Sequence, residues 1–336
     1  MIERIESRPS GERLPGVLGD SECMRSAAAR VAVIAETDAT CLLLGETGTG
    51  KELFARAIHY LSDRKHRPFV PVNCGAIPDH LFENEMFGHR RGAYTDAQSN
   101  EVGLLAYGDK GTLFLDEVDA LSASAQVKIL RVLQEREYRP VGSAHTIPAN
   151  IRIVAATNCD LLRRVEAHQF REDLYFRLNI LSLTIPPLRE RLEDLPILAW
   201  HYLREYATAH RRPITGINDD AIASLQSYRW PGNVREFQAV MQRAVLTART
   251  SALSRTDLAL PETTPASSPH LTLKAAKNVA VSHCERSYLS AVLRRCEGNI
   301  TRAAKMAGKE RRSFQRLLRK YSITGLSFKD NEGTGY

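Results

Sequence analysis

A chain of 336 residues with 43% hydrophobic and 25% charged residues has the composition of a soluble globular protein and the length of two or three domains. No apolar run approaches the ~18 residues of a membrane span, and Met1 to Arg13 is charged, which argues against a spanning or secreted protein and predicts a cytoplasmic one. The formal charge of +7 is uneven, because residues 1–269 hold 32 Lys+Arg against 34 Asp+Glu while residues 270–336 hold 14 against 5, the footprint of a nucleic-acid-binding module at the end of the chain.

After the tail 1–13, apolar spacing over Gly16 to Glu36 (Met24, Ala28, Val31, Ile34) predicts a helix. The apolar run Cys41 to Leu44 then meets Gly45-Glu46-Thr47-Gly48-Thr49-Gly50-Lys51, followed by helical spacing over Glu52 to Leu61. Strand, glycine loop and helix in this order suit a phosphate-binding loop, in which backbone N–H groups converge on phosphates and Lys51 reaches the β- and γ-phosphoryl oxygens. Glu52 stands where Ser or Thr is usual in such loops. Phe69 to Val72 reads as a strand interrupted by Pro71 and ending at Asn73. Thr112 to Leu115 reads as a strand delivering Asp116 and Glu117 at its carboxyl end. Ser122 to Glu137 is a helix, Ile151 to Ala155 a buried strand ending at Thr157-Asn158, and Leu181 to Ile185 a fifth strand. Strands alternating with helices imply an α/β fold with a parallel sheet covered on both faces, whose ligands bind at the carboxyl strand ends. Lys51, Asp116, Glu117 and Asn158 all fall there.

From Pro186 to about Arg255 the pattern turns all-helical (Asp194 to Tyr206, Asp219 to Leu225, Val234 to Ala248), and Pro261 to Pro269 reads as a linker. The domains expected are 14–185, a helical lid 186–255, a linker 256–270, a helical domain 271–326 and a tail 327–336. The six cysteines (Cys23, Cys41, Cys74, Cys159, Cys284, Cys296) form no CxxC pair and read as buried free thiols.

A phosphate loop and a strand ending in Asp-Glu form the minimal kit for nucleoside triphosphate hydrolysis, with Asp116 on Mg2+ and Glu117 activating the attacking water. The ordered segments GETGTGKE, FENEMFGHRRGAYTDA, GTLFLDEV, RIVAATN, FREDLYFRLN, PPLRERLEDL and WPGNVREF resemble the AAA+ domain of bacterial enhancer-binding proteins, the sigma-54-dependent transcription activators, over about residues 14–250. That family shows Glu at the position of Glu52. The resemblance implies ATP and Mg2+ as cofactors. It makes Asn73 a switch that holds Glu117 away from water, Thr157 and Asn158 a first sensor, Arg235 a second sensor in the lid, and Arg171 and Arg177 arginine fingers acting on a neighbouring subunit of a hexameric ring. Gly92-Ala93-Tyr94-Thr95-Asp96-Ala97 is similar to the family's GAFTGA loop, which contacts sigma-54, with Tyr for Phe and Asp for the second Gly.

In the basic block, Ile300 to Ala307, a turn at Gly308 and Glu310 to Tyr321 have helix-turn-helix spacing and are similar to the Fis-type DNA-binding domain of this family. Arg311, Arg312, Ser313 and Gln315 are expected in the major groove, with Arg316 on the same polar side and Lys305, Arg319 and Lys320 on phosphates. The implied protein binds double-stranded DNA as a dimer or larger homo-oligomer and remodels sigma-54 RNA polymerase. With no receiver or other sensory domain expected before residue 14, control would come from a trans-acting regulatory protein or from regulated expression. Asp96, which brings charge and removes a glycine, favours a second reading, a DNA-binding regulator using ATP for assembly without sigma-54 contact. An AAA+ remodeller or helicase loader is a third, against which the Fis-like tail argues.

Overall fold

The computed structural model describes residues 14–94, 97–261, 285, 288, 289, 292, 293, 295, 296 and 299–320. It divides into two units, Met1–Leu260 and Pro261–Tyr336.

The first unit is built on five parallel strands, β1 (Cys41–Leu44), β2 (Phe69–Asn73), β3 (Thr112–Asp116), β4 (Arg152–Thr157) and β5 (Leu181–Thr184), in the spatial order β2-β3-β4-β1-β5. Side chains of a strand alternate between faces, so strands apolar at every position need cover on both. Leu42, Leu113, Leu115, Ile153 and Ala155 pack on one face with helices α3 (Asp79–Phe87), α4 (Ala123–Glu135) and α5 (Glu172–Leu178). Cys41, Leu43, Phe114, Val154 and Ala156 pack on the other with α1 (Glu22–Ala35) and α2 (Lys51–Tyr60). Pro71 does not interrupt β2, whose register with β3 runs from Phe69 to Asn73. As an edge strand it pairs on one side only, where a missing N–H is tolerated.

The register lines up what the sequence predicts for the carboxyl edge. Asn73 lies opposite Asp116, Leu44 lies opposite Thr157, and Gly45 N–H donates to the Thr157 carbonyl. The buried Arg152 guanidinium donates to the Ile34 and Ala35 carbonyls at the end of α1, supplying cationic donors where a helix leaves carbonyls unpaired.

The lid contains helices α6 (Leu195–Ala209), α7 (Asp219–Ser227) and α8 (Asn233–Thr247) around the buried Trp230, Phe237 and Leu203. It is not all-helical as the sequence predicts, because Gly216–Ile217 and Ala252–Leu253 form a short parallel ladder. Two residues per strand are too few to show period-two patterning, so the ladder leaves no trace in the sequence.

In the second unit, α9 (Ile300–Met306) is capped by Asn299, whose side chain accepts from the Thr301 and Arg302 N–H groups. Gly308, at φ +62°, turns the chain toward α10 (Arg311–Lys320). Ala303, Ala304, Phe314 and Leu318 form its core with Leu289, Val292, Leu293 and Cys296. Cys284, the linker centre and the tail lie outside the described residues.

Candidate nucleotide site and its lid

The glycine loop sits between β1 and α2, with Gly48 at φ +79° and Gly50 at φ +99°, conformations that glycine adopts without a Cβ penalty. Lys51 Nζ donates to the Gly45 and Glu46 carbonyls at 2.9 and 3.2 Å, so its ammonium lies inside the loop. Burial lowers the Lys51 pKa, opposed by the charges of Asp116 and Glu117. Burial raises the Asp116 pKa, opposed by the Lys51 charge. An ammonium facing two carboxylates at a strand end, beside a cradle of glycines, is a donor set that fits a nucleotide's phosphates and their Mg2+. Asp116 would hold the ion and Lys51 the phosphoryl oxygens. Glu52 turns elsewhere, forming an ion pair with Arg56 at 2.7 Å on the solvent side of α2.

Glu117 has φ 55° and ψ 47°, a left-handed conformation uncommon for a residue with a Cβ and of the kind that clusters at functional sites. Asn73 does not hold Glu117 through a hydrogen bond among the described residues. Its side-chain oxygen accepts from Gly75 and Ala76 N–H at 2.8 and 3.1 Å. Both side chains flank Gly75, where an added Cβ would come within 2.7 Å of Glu117 Oε2 and 3.4 Å of Asn73 Oδ1.

Asn158 reaches the glycine loop, its Nδ2 donating to Thr47 Oγ1 at 2.8 Å. Thr157 is fully buried, and its hydroxyl donates to Asp119 Oδ1 at 2.6 Å. Arg171 stands just before α5 and forms a forked pair with Asp173, at 3.1 and 2.8 Å, the side chains 47% and 43% exposed. Arg177 is exposed on the same helix and has no ion pair or hydrogen bond among the described residues. Both arginines therefore face solvent.

The lid meets the loop through Arg235, expected there, and through residues to which the sequence assigns no role. The Val234 and Arg235 N–H groups, at the start of α8, donate to the Gly48 carbonyl at 2.9 and 3.3 Å. Asn233, fully buried at φ 51°, donates to Glu46 Oε2 and to the Thr47 carbonyl, both at 3.1 Å, and accepts from Leu188 N–H at 2.8 Å. Arg189 Nη1 donates to Glu46 Oε2 at 2.7 Å, and this bond, ahead of the one from Asn233, holds the Glu46 carboxyl below its ordinary range. The buried Arg191 donates to the Thr49 carbonyl. Asp194 accepts from Asp20 N–H and from Ser21 N–H and Oγ. Arg189, Arg191 and Asp194 lie in PPLRERLEDL and Asn233 in WPGNVREF, so the segments were legible and the contacts were not.

At the other end of α3, Tyr94 is half-exposed with its ring 5.1 Å from that of the buried His89, whose Nδ1 is 2.6 Å from Asn84 Oδ1. Gly92 N–H donates to the Ala97 carbonyl, closing the base of the loop. Thr95 and Asp96 lie outside the described residues. In the second unit, Arg311, Arg312 and Arg316 are exposed on α10, Ser313 and Gln315 are half-buried, and Lys305 is exposed on α9. The side chains of Arg319 and Lys320 are not among those described.

Comparison with known proteins agrees with this architecture. Residues 17–184 match the sigma-54 interaction domain, 189–273 the AAA+ ATPase lid domain and 281–321 the Fis family of bacterial regulatory proteins. The chain is 44% identical over 299 residues to the transcriptional regulatory protein GlrR of Escherichia coli K12, covering 89% of this chain and 66% of GlrR. It is 43% identical over 301 residues to ZraR of Klebsiella oxytoca, covering 89% of this chain and 67% of ZraR. The crystal structure of NtrX from Brucella abortus in complex with ATP superposes with a TM-score of 0.69 at 32% identity, covering 91% of this chain and 70% of NtrX. The chain thus spans about two thirds of these relatives. No helix among the described residues is long and apolar enough to cross a membrane. The chain belongs to the sigma-54 interaction domain family of transcriptional regulators, an AAA+ fold with its lid followed by a Fis-type helix-turn-helix.

Proposed function

We propose that this chain is an ATP-hydrolysing transcription activator that binds upstream double-stranded DNA through α10, assembles into a ring and remodels sigma-54 RNA polymerase into the open complex. The observation that carries the reading is the convergence of Lys51, Asp116, Glu117 and Asn158 on the glycine loop that the lid's Arg235 also touches. Glu117 accepts a proton from the attacking water, Lys51 holds the γ-phosphoryl oxygens and Asn158 orients the loop that receives them. Magnesium, when bound at Asp116, supplies charge neutralisation at the phosphates. Arg171 and Arg177, facing solvent, act on the nucleotide of an adjacent copy. Breaking the exposed Arg171 pair with Asp173 costs little, since water screens it. Tyr94 and Thr95 make the contact to sigma-54.

The test is in vitro transcription from a sigma-54 promoter carrying the protein's DNA site. Open complexes should form with ATP and be lost in Glu117→Ala and Thr95→Ala. Hydrolysis with no effect on sigma-54 polymerase would favour the second reading, a DNA-binding regulator that uses ATP for assembly.

A further inference from the structure

We propose that Asp119 is a positioning residue for ATP hydrolysis, tying the acidic end of β3 to the turn that carries Asn158; this rests on the hydrolytic reading above. Asp119 follows Asp116 and Glu117 by one short turn, Val118–Ala120. Its side chain is only 12% exposed. Among the described residues its side-chain contacts go to Thr157, the last residue of β4, and to the segment that follows. Oδ1 accepts the Thr157 hydroxyl at 2.6 Å. Oδ2 lies 3.3 Å from the Cys159 thiol, which also lies 3.1 Å from Asn158 Oδ1, and pairs with Arg164 at 3.6 Å, while the Asp119 carbonyl accepts from Arg164 Nη1 at 2.9 Å.

Thr157 Oγ1 in turn accepts from Cys159 N–H at 3.0 Å. Asn158 is therefore bracketed by two residues that both hang on one carboxylate, and it projects from that bracket to Thr47 in the glycine loop. Where reacting atoms must be held in line, a misplacement of about 1 Å can cost about 100-fold in rate. A short hydrogen bond to a charged, nearly buried acceptor is among the stronger ways to hold such a turn. Asp119 touches no phosphate itself; it acts by setting where Asn158 stands relative to Glu117.

Burial, and then the bond to Asp119, hold the Cys159 thiol above its ordinary pKa, which makes this cysteine a reporter of the bracket. The experiment compares full-length wild type, Asp119→Asn, Asp119→Ala, Thr157→Val, Thr157→Ser and the Asp119→Asn/Thr157→Val double variant. Steady-state ATPase is measured together with site-resolved alkylation of Cys159 by iodoacetamide. The expected result is a fall in kcat of about 10- to 100-fold in the Asp119 variants with KM changed less than about 3-fold. Thr157→Ser, which keeps the hydroxyl, should recover most of the kcat that Thr157→Val loses. The double variant should be no slower than the worse single one, because both remove the same link. Cys159 should alkylate several-fold faster in Asp119→Asn, which keeps the side chain's shape. An ATPase within about 2-fold of wild type in Asp119→Ala, in protein that Glu117→Gln silences, would overturn the role of Asp119 and leave the hydrolytic reading intact. A wild-type chain with no ATPase above the Glu117→Gln background would overturn both.

Discussion

Asn233 Nδ2 donates to Glu46 Oε2 across 3.1 Å, joining the first residue of the lid's α8 to the second residue of the phosphate loop. The two are 187 positions apart, and the bond is one of three that the Asn233 side chain makes from a fully buried site. Removing it in Asn233→Ala leaves the Leu188 N–H and the Thr47 carbonyl unpaired and places alanine at a left-handed φ. At about 1 kcal/mol for each of the three bonds, with strain added, the loss is about 3–4 kcal/mol, or roughly 6–16 °C in Tm. Thermal unfolding with and without nucleotide checks this, and nucleotide affinity should weaken in parallel.

Glu117→Gln keeps the shape of the side chain and removes its basicity. ATP binding should survive within about 3-fold while turnover falls by about 100- to 10,000-fold, the usual contribution of a positioned base. Equilibrium binding of a fluorescent ATP analogue, set beside phosphate release, separates the two effects.

In the proposed ring, where exposed arginines complete a neighbour's site, variants should complement one another. Arg177→Ala and Glu117→Gln should each lose hydrolysis, by about 1,000-fold or more for a residue acting as an arginine finger. Mixed, they form interfaces in which an intact Arg177 faces an intact Glu117, so part of the activity returns. A mixture no more active than its components would place Arg177 outside the reaction.

The two carboxyls, shifted in opposite directions, set pH dependences that both appear on acidification, one late and one early. Glu46 lies below its ordinary range because Arg189 and Asn233 donate to it, so its contribution is complete above the unfolded-state pKa and lost as pH falls through the lower folded value. The stability difference between wild type and Glu46→Gln should stay level from neutral pH down to about pH 5 and close only below that. Asp116 is raised, chiefly by burial, so protons compete with Mg2+ at higher pH than on a solvated aspartate. Calorimetric titration of Mg2+ with an ATP analogue should show affinity falling early on acidification.

On DNA, Lys305→Ala should weaken binding uniformly across sequences and lower the slope of log K against log salt by about one unit, as loss of one phosphate contact does. Arg312→Ala, at the start of α10, should cost about 1–3 kcal/mol and relax base preference at one position. Fluorescence anisotropy over a salt series on specific and scrambled duplexes distinguishes them.

Local chemistry made much of this legible in the chain itself. Runs such as Thr112 to Leu115 can only be strands buried on both faces. Glycines at 45, 48 and 50 before Lys51 suit a loop that wraps phosphate. Gly308 marks the turn between the terminal helices. Each signal lies within a few residues, and the periodicity of burial carries it. What the sequence left open depended on contacts between segments far apart. Pro71 read as an interruption because edge position is a property of the sheet. The Gly216–Ile217 ladder was too short to show a pattern. Thr157 and Asn158 stand side by side in sequence, but only the fold sends one to Asp119 and the other to Thr47. Asn233, Arg189 and Asp119 carried no local mark, because a polar side chain gains its role from the partner that buries it. Only the packing of the lid and the β4 turn against the glycine loop supplied those partners.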